Sequence, residues 1–204
     1  MTENTEELYA QEYFDYLQNR GLIRKSIRKF YLRDIRSFCT GKTIDFGCGT
    51  GELLAMLPPG SAGLEVNKVT VNYCKSRGLP VELYIPAQDN YRFDMIDPGQ
   101  YNSFTMNHVL EHIVNAQEVI KTIFESCNRL GVKRIVFTVP GYKGFRLDKT
   151  HRTFIDRKYF AVNGLLDNPY YRLNHSKYFP VNWSGFGRYF RHNELRLIFD
   201  KRKD

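Results

Sequence analysis

What this sequence does not contain removes several classes of protein before any motif is read. No CxxC pair occurs, and the four cysteines, Cys39, Cys48, Cys74 and Cys127, are scattered. That spacing suggests neither a disulfide framework nor a zinc knuckle, and free thiols in a reducing compartment are expected. No apolar run is long enough to cross a bilayer. The opening, MTENTEELYAQEYFDYL, is acidic and polar, whereas a secretory signal needs a basic end and then an apolar stretch. A cytoplasmic protein without a membrane span is therefore expected. Repeats and low-complexity tracts are also missing.

What remains is an ordinary globular composition. The chain has 204 residues, 42% hydrophobic and 25% charged, enough for one domain over residues 1–204 with a proper core. Lysine and arginine number 30 against 22 acidic residues, a formal charge of +8. The excess favours an anionic partner: a phosphorylated small molecule, an acidic glycan, a lipid headgroup or nucleic acid. A solvated basic surface explains it equally well.

Three segments follow from the periodicity. Residues 1–40 read as a helical cap: Tyr9, Tyr13, Tyr16 and Leu17 fall at helical spacing. After Gly21, Ile23, Ile27, Phe30, Tyr31, Ile35 and Phe38 form an apolar stripe opposite a basic one. Residues 41–140 alternate short apolar strands with helices. Strands are expected at Thr43–Phe46, Ala62–Val66, Val81–Ile85, Tyr101–Met106 and Arg134–Val139, with helices over Glu52–Leu57, Lys68–Arg77 and the run from Val109 through Cys127. Parallel strands need crossover helices, so this alternation predicts an α/β, Rossmann-like, doubly wound, mostly parallel sheet of about seven strands with helices on both faces. Residues 141–204 end in two strand-like stretches, Tyr170–Phe179 and Asn193–Lys201, read as a long hairpin that adds an antiparallel C-terminal edge.

Chemistry concentrates at the ends of those strands. DFGCGTGE (Asp45–Glu52) directly follows the first strand, and its glycines let backbone approach a ligand closely. A dinucleotide fingerprint would be GxGxxG, whose helix receives a pyrophosphate. Here the pattern is GxGxG, flanked by Asp45 and Glu52. An acidic, phosphate-free loop suits a ligand that carries an α-amino group and a sulfonium cation.

TIDFGCGTGE, Glu65 in GLEVN and NHVLEHI (Asn107–Ile113) together resemble the class I S-adenosylmethionine methyltransferases, in order along the chain. The resemblance implies S-adenosylmethionine as methyl donor, bound by Asp45, Gly47, Cys48, Gly49, Gly51, Glu65, Val66, Asn107 and His108. It implies in particular that Glu65 chelates the two ribose hydroxyls. The family's acidic residue near the adenine falls on Asp89 or Asp94, with Asp89 favoured.

His108, Glu111 and His112 form HVLEH, and spacings of i, i+3 and i+4 would bring them to one helix face. Two readings stand. In one, these three and His151 hold a divalent metal. That arrangement is similar to the ExxEH…H cluster of ubiquinone-pathway O-methyltransferases and small-RNA 2′-O-methyltransferases, with His108 in place of the first glutamate; such a donor set favours a transition metal over magnesium. In the other, Glu111 and His112 brace the loop, and His108 or His151 is a general base or a substrate contact. Asp148 is a candidate to orient His151. The acceptor pocket is expected under the N-terminal helices, with Tyr9 and Tyr13 closing over the donor, and under residues 141–164. The expected function is O-methylation of a small hydroxylated or anionic metabolite, sugar or lipid intermediate. The alternatives are a metal-assisted RNA ribose 2′-O-methyltransferase and a methyltransferase-like binding module without turnover.

Overall fold

The computed structural model describes Gln11 and residues 22–202, with side chains from Ile27 onward within the first helix. Tyr9, Tyr13, Tyr16 and Leu17 lie outside the described residues, as does the side chain of Ile23.

Among the described residues, seven strands form one sheet in the order β3-β2-β1-β4-β5-β7-β6. The strands β1 (Thr43–Phe46), β2 (Ala62–Glu65), β3 (Val81–Leu83), β4 (Ser103–Asn107) and β5 (Arg134–Pro140) run parallel. The last two, β6 (Tyr171–Phe179) and β7 (Glu194–Lys201), are antiparallel to each other, and β7 is antiparallel to β5. The expected C-terminal hairpin is present. Its second strand enters the sheet and its first becomes the edge.

Among the described residues from 22 onward, the helices are α1 (Leu22–Phe38), α2 (Lys68–Ser76), α3 (Pro86–Asp89), α4 (Ala116–Arg129), α5 (Tyr142–Leu147) and α6 (Arg157–Val162). Strand alternation sends side chains to two apolar layers. Ile135, Phe137 and Val139 of β5 and Leu195, Leu197 and Phe199 of β7 face α4 and α6, where Ile120, Phe124 and Phe160 meet them. Val136 and Ile198 point the other way, toward Leu32 and Ile35 of α1 and Val71 and Cys74 of α2. Helices therefore cover both faces, as the doubly wound pattern requires.

Three local expectations change. Glu52–Leu57 forms only a 3-10 turn at Leu54–Met56, and β3 stops at Leu83. The apolar stripe of α1 is split: Tyr31 and Ile35 are buried, while Ile27 and Phe30 face outward. The helix expected from Val109 begins instead at Ala116; Leu110–His112 is a separate 3-10 turn, and Val109 and Ile113 pack on the core from that turn. Ile113 explains the break, because its φ of −94° and ψ of +126° are extended and end the turn before the helix at Ala116 can begin.

Candidate active site at the carboxyl ends of the strands

The glycine loop leaves β1 through three left-handed glycines, Gly47, Gly49 and Gly51, with φ of +68°, +54° and +74°. A side chain at any of them would be strained. Glu65, at the end of β2, is buried and ties this loop to the next: Gly49 N–H donates to its Oε2 at 2.8 Å and Asn67 N–H to its Oε1 at 3.0 Å. Val66 follows, exposed. Cys48 lies buried under the loop, its thiol 3.8 Å from Gly49 O, and Cys74 reaches the same carbonyl at 3.3 Å.

Asp45 is 1% exposed, and its Oδ2 has no hydrogen-bond partner. Burial, with the Glu65 carboxylate nearby, pushes its pKa up to about 7, against the opposing pull of Arg28 and a hydrogen bond from Asn107. Asn107 Oδ1 is likewise buried and unpartnered, while its Nδ2 donates to Thr105 Oγ1. Buried polar atoms are normally paired, so two orphaned acceptors near the carboxyl ends of the neighbouring strands β1 and β4 mark a place for a ligand's donors. Asp89 accepts a hydrogen bond from the Tyr84 hydroxyl, and Asp94 is drawn to Arg92 and Arg129 at the surface.

Next to this, HVLEH makes two different structures from its three titratable residues. The His108 main-chain N–H donates to Thr138 O at 2.9 Å, which pins the left-handed residue to β5. Its ring is bracketed by carboxylates, Nδ1 3.2 Å from Glu111 Oε1 and Nε2 3.2 Å from Glu194 Oε1. Burial alone would depress its pKa; the Glu194 and Glu111 charges outweigh that and raise it to about 10. His108 is therefore a cation with both ring hydrogens given to carboxylates. Glu194 in turn faces Arg196, which is fully buried and lies 2.7 Å from Asp34 Oδ2 on α1.

Glu111, His112 and His151 form the second structure: one ligand atom from each lies within 4.8 Å of the others. His108 is not in this group. Hydrogen bonds set both remaining imidazoles. His151 Nδ1 is 2.9 Å from Phe145 O, a carbonyl that can only accept, so Nδ1 carries a hydrogen and, in the neutral tautomer, Nε2 is the free lone pair. Thr150 Oγ1 gives its one hydrogen to Asp148 Oδ1 at 2.6 Å and so accepts from His112 Nδ1 at 3.1 Å, which bares His112 Nε2 as well. Burial lowers the His112 pKa, keeping it neutral. Glu111 is completely buried, and its Oε2 has no partner. An orphaned carboxylate oxygen and two bare imidazole nitrogens are a donor set that fits a transition-metal cation, with outer hydrogen bonds fixing the tautomers.

Asp148 thus orients His112 through Thr150, and the Phe145 carbonyl orients His151. Thr150, Glu194 and Arg196 were not among the residues singled out from sequence. Glu194 is 86 positions from His108, and no spacing rule joins them. A buried arginine in a strand, which needs buried acidic partners, was the available signal.

Comparison with known proteins agrees with this fold. The family model for a methyltransferase domain matches residues 12–202. A S-adenosylmethionine-dependent methyltransferase from Archaeoglobus fulgidus is 16% identical, over 87% of this chain and 94% of that one, with a TM-score of 0.63. Magnesium protoporphyrin IX methyltransferase from Synechocystis PCC 6803, with bound S-adenosylhomocysteine, is 14% identical over 98% of both chains, with a TM-score of 0.62. The methyltransferase domain of the bacterial CtHen1-C is 20% identical, over 84% of this chain and 94% of that one, with a TM-score of 0.61. No curated protein matches the sequence. With a GxGxG loop, a buried acid behind it and a family match over nearly its whole length, the chain belongs to the methyltransferase-domain family and uses S-adenosylmethionine as its methyl donor.

Proposed function

We propose that this chain methylates a hydroxyl oxygen of a small hydroxylated acceptor, held beside a divalent cation on Glu111, His112 and His151. The observation that carries the reading is the completely buried Glu111 carboxylate, its Oε1 3.9 Å from His151 Nε2, grouped with two imidazoles whose other nitrogens are already hydrogen-bonded. When bound, such a cation lowers the pKa of a coordinated hydroxyl and makes its oxygen a better nucleophile. The chain's own residues do the rest. Asp45 and Glu65 hold the donor's ammonium and ribose hydroxyls, and the glycine loop lets its backbone close on the donor. Methyl transfer from a sulfonium is an in-line displacement, so positioning the acceptor oxygen is the main task.

His108 changes role in this reading. Already protonated between two carboxylates, it cannot accept the hydroxyl proton; it balances the charge of Glu111 and Glu194. In the metal-free reading, His151 Nε2 is the base.

The test combines calorimetry and labelling. Titration with manganese or zinc, S-adenosylhomocysteine present, is expected to give one site per chain. Thr150→Val, which touches no cation, is expected to weaken that site roughly 10–100-fold by freeing the His112 tautomer. Labelled methyl transfer into fractionated extract is expected to yield an O-methyl product and to stop with chelator. Chelator-indifferent transfer, with no cation bound, would overturn the metal and leave His151 as base. A second acceptor, a ribose hydroxyl at an RNA end, is supported by the +8 charge; it predicts binding that falls steeply with salt.

A further inference from the structure

The rim around the carboxyl edge is apolar and basic at once. The β6–β7 connection exposes Trp183 (61%), Tyr189 (74%) and Phe190, and α5 exposes Tyr142 and Leu147. Phe30 of α1 is exposed beside them, its ring 4.9 Å from Phe179 at the end of β6. These pieces form one surface. A Cβ on Gly141 would sit 2.2 Å from Asn193 O and one on Gly144 2.6 Å from Arg191 O, so α5 lies directly against the connection. Lys143 Nζ also donates to Tyr189 O at 2.7 Å, and the Tyr31 hydroxyl of α1 donates to His192 O at 2.5 Å. From Pro180 to Asn193 the connection carries Arg188 and Arg191 and no carboxylate.

We propose that this rim seats the protein on an anionic bilayer, so that the strand ends receive an acceptor from the leaflet. Tryptophan and tyrosine favour the headgroup level of a membrane, and cations beside them are drawn to anionic lipid. A contiguous exposed apolar patch ringed by polar groups marks a binding surface. Beside Trp183 opens a cleft of about 530 Å³ whose lining includes Arg157, Lys158 and Lys177 and one carboxylate, Asp156, so its side-chain charge is net positive.

The details favour lipid over single-stranded nucleic acid. Base stacking needs free ring faces. The Trp183 indole lies on the main chain of Gly185, where a Cβ would meet it at 2.5 Å, and Arg146 lies over the Tyr142 ring at 5.9 Å. The aliphatic Leu147 and Val181 stack on nothing but enter a headgroup layer at no cost. The inference rests on the methyl-transfer reading only for what the surface delivers; membrane binding is read without catalysis, so either can fail alone.

Trp183 is the only tryptophan in the chain, which makes the test direct. With phosphatidylcholine vesicles containing phosphatidylglycerol, the full chain is expected to show a blue-shifted emission that acyl-brominated lipids quench. Vesicles of phosphatidylcholine alone are expected to bind weakly. The double variant Arg188→Glu/Arg191→Glu is expected to lower partitioning on the order of tenfold or more, with unchanged circular dichroism and S-adenosylhomocysteine affinity. No blue shift and no bromolipid quenching with anionic vesicles overturns the proposal. So does an emission change produced only by a single-stranded oligonucleotide, or only by raising protein concentration; these would assign the surface to nucleic acid or to a second copy.

Discussion

Asp45 is a carboxyl group that folding disfavours in its charged form. Its pKa of about 7 in the folded chain stands above the ordinary 3.8. The folded state therefore holds an extra proton between those values. The stability this contributes is complete below about 3.8 and is lost as pH rises through about 7. A cationic donor reverses the preference, because it pairs with the ionised acid. S-adenosylhomocysteine affinity is thus expected to rise from roughly pH 6 to roughly pH 8, with a proton released on binding. Calorimetry in buffers of different ionisation enthalpy reads that proton directly, and Asp45→Asn should abolish it. If binding releases no proton in the native chain, Asp45 does not meet the ligand's ammonium. Glu65 is tested in the same titration. Glu65→Ala removes the proposed ribose contact and also orphans the amides of Gly49 and Asn67, so a loss of at least about tenfold is expected. Equal affinity in parent and variant would remove Glu65 from the donor site.

Among the elements, α1 is fastened to the catalytic edge by charge rather than by its apolar stripe alone. Asp34 meets Lys177 of β6 at 2.5 Å and Arg196 of β7 at 2.7 Å, and Arg28 pairs with Glu52 beyond the glycine loop. The Arg196 guanidinium is fully buried and lies over Phe179 at 4.5 Å. Removing Asp34 leaves the buried Arg196 with Glu194 alone, at 3.4 Å, so Asp34→Ala is expected to cost up to about 3 kcal/mol in chemical denaturation. The paired change Asp34→Leu/Arg196→Met is expected to recover most of it. A variant pair no better than Asp34→Ala would show that the charges themselves hold the helix.

The same elements show what could be read beforehand. The five parallel strands were legible because each is a short apolar run at a turn boundary, and the C-terminal pair because its alternation has no helical period. The start of α4 was not, since HVLEH fits helical spacing and it is the extended backbone of Ile113 that separates its short turn from α4. The donor loop was legible because its residues are neighbours in sequence. The imidazole cluster was half legible: Glu111, His112 and His151 converge, while His108 is taken by Glu194, a partner supplied by folding alone.

Over the whole molecule, protection from exchange should follow position in the sheet. The central strands β1, β4, β5 and β7 are flanked on both sides and covered on both faces, whereas β3 has three residues and β6 pairs only with β7. Amide hydrogen exchange is expected to be slowest in β4, β5 and β7 and fastest in β3 and β6. Rapid exchange in β7 would contradict its central place. Among the described residues, no helix is long and apolar enough to cross a membrane, so the proposed bilayer contact is one of surface.

The place of β7 has a consequence for how the protein comes into being. Synthesis delivers β5, then β6, then β7, yet in space β7 stands between the other two. Until β7 emerges from the ribosome, β6 has no neighbour to pair with and β5 keeps an open edge. The glycine loop and HVLEH have by then been made for some time, but His108 lacks Glu194, and Asp34 lacks Arg196. A nascent chain can therefore own every residue of the glycine loop and still lack the ion pairs that complete the carboxyl edge of the sheet. Closure of this edge waits for β7, which follows β5 and β6 in the chain yet stands between them in the sheet.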